Sequence, residues 1–195
     1  ILMDAPPDSG EDTRPFIEIA AWLADHGLSS PRIITHDPDN GLLLLEDLGD
    51  DLLATHAASH PEDEPILYAA AAGLLADLHR HVPPALPSYP AQMATLAATV
   101  FDWYAPEAQD RRDDLTAAMQ RAIDTTLTGP EVLVHRDFHA ENLIWLPERT
   151  GPARIGLLDF QDAMRGPAEY DLASLIHDPR RAVSPRAAQA ATTAY

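Results

Sequence analysis

Three oxygen-bearing side chains, Asp137, Asn142 and Asp159, are spaced as phosphoryl transfer requires. Asp137 can accept the proton of an attacking hydroxyl, while Asn142 and Asp159 offer hard oxygens to Mg²⁺ bridging the phosphates of ATP. An unperturbed Asp, with a pKa near ~3.9, is ionised at neutral pH, and a positioned base is worth roughly 10²–10⁴-fold. The transition state is loose, so the proton leaves late and positioning counts at least as much as basicity. Taken singly, a loop Asp caps backbone and a loop Asn makes a turn. The order Asp137, Asn142, then Asp159 at the end of a further strand is what favours catalysis.

The elements that must position these groups are short and apolar. Segments 132–135, 143–146 and 154–158 read as strands, the last two joined by a turn over 147–152. Upstream, residues 1–4 end a strand that Pro6 and Pro7 cannot continue. A helix follows from Thr13, with Phe16, Ile19, Ala20 and Leu23 on its apolar stripe and Gly27 at its end. Strands 32–36 and 42–45 pair across the turn 37–41. Helical spacing predicts core helices over 65–82 and 91–104, separated by a Pro-rich connector. Trp103 lies off the second stripe, either stacking on a sugar or covering a helix edge. Asp113 or Asp114 caps another helix, with Leu115, Ala118, Met119, Ala122 and Ile123 inward, and 168–176 forms one more.

Composition narrows the partners. Thirteen basic residues against 31 acidic ones give a formal charge of -18, which sets the chain against nucleic acid and anionic membranes. That acidity serves solubility or attracts a cationic substrate. No apolar run approaches the ~20 residues of a membrane span, and cysteine is absent. All 13 basic residues are Arg; there is no Lys.

The pattern H-x-D-x-H-x-x-N formed by His135, Asp137, His139 and Asn142, followed by Asp159-Phe160, resembles the aminoglycoside phosphotransferase and choline kinase family of the protein-kinase-like fold. Within it, Leu157 to Ala163, Gly166 and Tyr170 to Leu175 are similar to the bacterial N-acetylmuramate/N-acetylglucosamine anomeric kinases. The resemblance implies an α+β fold, with residues 1–49 a remnant of the N-terminal nucleotide-binding lobe and hinge and 50–195 a mostly helical catalytic lobe with a small β-sheet. It implies an ATP- and Mg²⁺-dependent cytoplasmic kinase acting on a small-molecule hydroxyl, with an N-acetylated amino sugar at its anomeric position as favoured acceptor. Aminoglycosides and choline-like alcohols are alternatives. Glu46, Asp47 and Leu48 fall at the hinge that meets adenine, Asn142 and Asp159 at the metal, and Asp171 at the carboxylate anchoring the catalytic loop. His135 supports that loop, and His139 either contacts phosphate or supports it as well. The family's phosphate-binding Lys has no counterpart, Met3 or Asp4 standing in its strand, and its usual helix partner falls on Glu18, read as a surface carboxylate. With no Gly-rich phosphate loop, the chain reads as a fragment. Two readings from other classes compete: a zinc hydrolase built on His135, Asp137 and His139, and a non-catalytic kinase remnant.

Overall fold

The computed structural model describes residues 1–195, the side chain of Ser9 excepted. The first 45 residues build an antiparallel sheet around one helix. Strands β1 (Leu2–Asp4), β2 (Ile33–Asp37) and β3 (Leu42–Leu45) lie in the order β1-β3-β2. Leu43 of the central strand faces Met3 on one side and His36 on the other. Helix α1 (Arg14–Asp25) covers the sheet with Phe16, Ile19, Ala20 and Leu23, the stripe its spacing predicts. It stops at Gly27, whose φ of 71° lets the Gly27 and Leu28 N–H groups turn back onto the Ala24 and Leu23 carbonyls. Thr13 precedes α1 as expected, but its hydroxyl caps no N–H. Glu18 is exposed, as its surface reading requires.

Below the sheet the chain is helical, through α2 (Leu53–Ser59), α3 (Glu64–Leu78), α4 (Pro90–Ala97), α5 (Val100–Trp103) and α6 (Arg112–Thr126). Helix α3 is the core: Leu67, Tyr68, Ala71, Ala72, Leu74, Leu75 and Leu78 are all buried. Helix α8 (Pro185–Ala194) lies against it through the fully buried Ala187 and Ala191. Small residues allow that close approach, and Arg181 fixes it by donating to the Tyr68 hydroxyl at 2.6 Å and pairing with Glu64 at 3.1 Å.

Three helical expectations need correction. The helix expected over 65–82 ends at Leu78, and Val82 is 84% exposed. The helix expected over 91–104 breaks at Ala98 and Thr99, where ψ relaxes to -11° and -15°. That turn rotates the following residues, so Ala94, Ala98 and Phe101 are buried while Leu96 and Tyr104 are exposed. Helix α6 starts before Asp113 and Asp114, which lie in its first turn. Of its expected inward stripe only Ile123 is buried; Ala118 and Ala122 are exposed.

The expected catalytic strands form two separate antiparallel ladders. Strand β4 (Val132–Val134) pairs with β7 (Met164–Gly166), and β5 (Leu143–Trp145) pairs with β6 (Ile155–Leu157). Helix α7 (Glu169–Ile176) follows β7. Among the described residues no helix is long and apolar enough to cross a membrane.

The turn between β2 and β3 depends on Gly41, at φ 71°, where a Cβ would lie 2.0 Å from the Ala5 carbonyl oxygen. Gly41→Ala is expected to cost about 1–3 kcal/mol through backbone strain, read as a lower urea midpoint at unchanged slope.

Candidate active site

The loop from His135 to Asn142 leaves the buried strand β4 and is folded by its own polar atoms. The His139 N–H donates to the Asp137 carbonyl at 3.0 Å and the Asn142 N–H to the His139 carbonyl at 2.9 Å. The Asn142 side-chain nitrogen donates to the Asp137 carbonyl at 3.0 Å and meets His139 Nε2 at 3.2 Å. With that nitrogen turned inward, the amide oxygen is the atom left for a ligand. The Ala54 N–H donates to the Ala140 carbonyl, fastening the loop to α2.

Strand β6 brings Asp159 alongside. The Leu158 N–H donates to the Asn142 carbonyl at 3.0 Å, and the His135 imidazole donates from Nε2 to the Leu158 carbonyl at 2.8 Å. The charges of both Asp137 and Asp159 act on the His135 imidazole. Burial nevertheless pushes the His135 pKa down, against its bond to Leu158 and those two charges. The ring is therefore a neutral strut between loop and strand. Asp159 is exposed with a left-handed φ of 57°, and Gln161 donates to its Oδ1 at 2.7 Å. Phe160 turns the other way and stacks on Phe16 of α1, ring centroids 4.5 Å apart.

Asp171, wholly buried in the first turn of α7, accepts two consecutive backbone N–H groups: His135 at 2.6 Å and Arg136 at 3.0 Å. Burial pushes its carboxyl up to about 7, with the two N–H donors pulling the other way and the nearby Asp137 charge adding to the rise. Arg136 itself sits at φ 77°.

The expected hinge residues lie against the middle of β6. Glu46 and Leu48 line a hollow of about 320 Å³ with Ile144 and Leu158. Leu48 packs over Gly156, where a Cβ would come within 3.0 Å of its Cδ1. Asp47 accepts from the Gly49 N–H at 2.9 Å through one carboxylate oxygen. Glu46 is held by Arg149 at 3.4 Å. A larger hollow of about 580 Å³ behind the hinge shares Pro31 and Glu46 with the first and touches none of Asp137, Asn142 or Asp159.

Backbone and side-chain bonds thus link the segment bearing His135, Asp137, His139 and Asn142 to Asp171 and to Leu158, the residue before Asp159. Among the described residues no three His, Asp or Glu side chains are grouped to hold a metal ion, which counts against the zinc cluster of His135, Asp137 and His139. The same finding is neutral toward a site of one Asn and one Asp. The sequence assigned no individual role to Gly156, Ile144, Tyr89 or Tyr170 around this centre, though Tyr170 stands in the stretch similar to the anomeric kinases. Gly156 carried a signal of its own, as a glycine inside a strand.

A model of the phosphotransferase enzyme family matches residues 1–195. The chain is 39% identical over 196 aligned residues to an N-acetylmuramate/N-acetylglucosamine kinase of Caulobacter vibrioides, covering 92% of this chain and 54% of that protein. It therefore spans about half the length of that curated relative. Among solved structures it is similar to an aminoglycoside-3'-phosphotransferase of type VIII, with a TM-score of 0.69 at 20% identity over 100% of this chain and 76% of that one. It is also similar to aminoglycoside phosphotransferase APH(3'')-Id of Streptomyces rimosus, solved with ADP and streptomycin, with a TM-score of 0.67 at 18% identity over 98% and 76% of the two chains. The fold is protein-kinase-like and α+β.

Because the Asp171 carboxyl is raised above the ordinary value of ~3.9, its contribution to stability falls as pH rises from there toward about 7. Asp171→Asn should flatten that part of the stability profile. Asp171→Ala orphans two buried N–H groups at about 1–3 kcal/mol each, so it should destabilise more than Asp171→Asn in urea unfolding at pH 7. Equal losses in the two variants would contradict this anchoring role.

Proposed function

The chain belongs to the phosphotransferase enzyme family, and on that footing we propose that it forms the catalytic part of an ATP-dependent kinase that phosphorylates the anomeric hydroxyl of an N-acetylated amino sugar. The supporting observation is the bonded unit joining the Asp137 loop to the Asp159 strand through Asn142 and Leu158. The acceptor class follows from likeness to the Caulobacter kinase. In this reading residues 1–49 contribute the hinge side of the nucleotide site and 50–195 the catalytic and acceptor side, and the enzyme works in the cytoplasm.

Asp137 is the base: its carboxylate orients the sugar hydroxyl and takes up its proton as the bond to phosphorus forms. The free Asn142 oxygen and the exposed Asp159 carboxylate suit Mg²⁺, a hard cation that takes oxygen ligands. When bound there, the ion would offset phosphate charge and align the transferring group. His135 stays neutral and holds the two carboxylate-bearing segments at fixed spacing. His139 buttresses Asn142. The hollow between Leu48, Ile144 and Leu158 offers apolar faces to an adenine ring, with hinge backbone at its edge. No Lys of these 195 residues meets the phosphates. The charge of -18 favours a second acceptor reading, a cationic aminoglycoside.

Full-length protein should convert N-acetylmuramate or N-acetylglucosamine to a sugar 1-phosphate with MgATP, followed by phosphorus NMR. Turnover of kanamycin in place of both sugars would select the second acceptor; no turnover of any alcohol would reject the kinase reading. Asp159→Asn should abolish turnover, and Asp137→Asn should lower kcat by roughly 10²–10⁴-fold with little change in folding. Near-normal rates in either would overturn that residue's role.

A further inference from the structure

Arg136 precedes the proposed base, and its left-handed backbone is one that an Arg rarely adopts without external support. The Asp171 carboxylate holds its N–H. Its side chain is held twice more. Nη1 donates to the Asp162 carbonyl at 3.1 Å, and the guanidinium lies over the Tyr89 ring, 5.2 Å from the centroid. Arg136 thereby joins the catalytic loop, the segment after Asp159, and the start of the helical insertion between α3 and β4.

Tyr89 is itself rigidly placed. Its N–H donates to the Arg165 carbonyl at 2.7 Å, while the Arg165 N–H donates to the Pro87 carbonyl at 2.9 Å, tying the connector to β7. Arg165 also donates to the Leu86 carbonyl and pairs with Glu131, which accepts from Ser88. The Tyr89 ring meets the Tyr170 ring edge-on at 5.0 Å, hydroxyls 3.1 Å apart. Tyr170 immediately precedes Asp171. The Asp171 carboxylate that holds the Arg136 backbone and the Tyr89 face that holds its side chain are therefore themselves joined through Tyr170.

We propose that Tyr89 is a positioning residue for the catalytic loop: its ring face carries the Arg136 guanidinium and so fixes the peptide that aims Asp137. The aromatic face does this, through cation–π attraction in a partly desolvated setting, and the hydroxyl is secondary. Loop geometry is thereby coupled to the connector that opens the helical insertion, so displacement of that connector would reach the base through a single side chain. This rests on the kinase reading for its kinetic consequence and on the structure alone for its conformational one.

The test compares full-length wild type, Tyr89→Phe and Tyr89→Ala by hydrogen exchange and by kinetics. Tyr89→Ala should raise exchange at the His135 and Arg136 amides and lower kcat by about 10–100-fold, the scale of a misplaced reacting group, with KM for MgATP changed less than about threefold. Tyr89→Phe keeps the face and should stay near wild type in both. Arg136→Met should reproduce the loss and add little to Tyr89→Ala, which keeps the question open to test if Tyr89→Ala folds poorly. Unchanged amide protection in Tyr89→Ala, or equal losses in Phe and Ala, would overturn the proposal. An inactive wild type would instead remove the kinase reading, leaving the exchange comparison to decide the positioning role.

Discussion

A single buried carboxylate organises the catalytic loop. Asp171 takes two successive backbone N–H groups from a segment that belongs to neither helix nor sheet, satisfying donors whose burial without partners would be costly. A neutral acceptor could not serve both donors as well, yet a charge so deeply buried is expensive. The compromise is visible in the Asp171 carboxyl, raised to about 7 by burial and restrained by the donors it exists to hold. Everything downstream in the loop inherits its position from those two peptides: the Arg136 twist, the aim of Asp137, and the turn that brings back Asn142.

The second half of the site is held by different means. Asp159 hangs at the end of β6 between a hydrogen-bonded strut, His135 to the Leu158 carbonyl, and an aromatic contact, Phe160 on Phe16. That stack is what connects α1 and its sheet to the acidic residue proposed for the metal. Gly156, two residues before Leu158, lets Leu48 approach β6 closely. The same short strand therefore carries the hinge contact at its middle residue and runs directly into the proposed metal ligand. Few residues separate the two functions, so small shifts of β6 would be felt in both.

Much of this was legible in sequence because it depends on chemistry tied to spacing. Helix α1 is legible from a stripe of four apolar residues, and type and order are what single out Asp137, Asn142 and Asp159 as the proposed reacting groups. The core of α3 was equally legible. What escaped depends on partners remote along the chain. Strand β7, Met164-Arg165-Gly166, has no β-branched or aromatic residue and exists because β4 offers it a ladder. The split of the 91–104 helix reflects a backbone turn at Ala98 and Thr99 that periodicity in Ala-rich sequence cannot register, since alanine fits inward and outward positions alike. Tyr89 sits in a proline-rich connector that local rules read as irregular, and its significance appears only when Arg136 arrives over its ring.

Among the described residues, the non-glycine positions with left-handed backbone are Arg136 and Asp159, each beside or at a proposed reacting group. A strained residue persists only where surrounding bonds over-determine it, and both are so held: Arg136 by Asp171, Asp162 and Tyr89, Asp159 by its neighbours Leu158, Phe160 and Gln161. The strain has a geometric use. A left-handed residue reverses the direction in which the next side chain leaves the backbone, so Asp137 departs from the course of β4, and Phe160 from that of Asp159. The supports that tolerate this strain, more than the acids themselves, are what distinguish the proposed site from a loop containing the same residues.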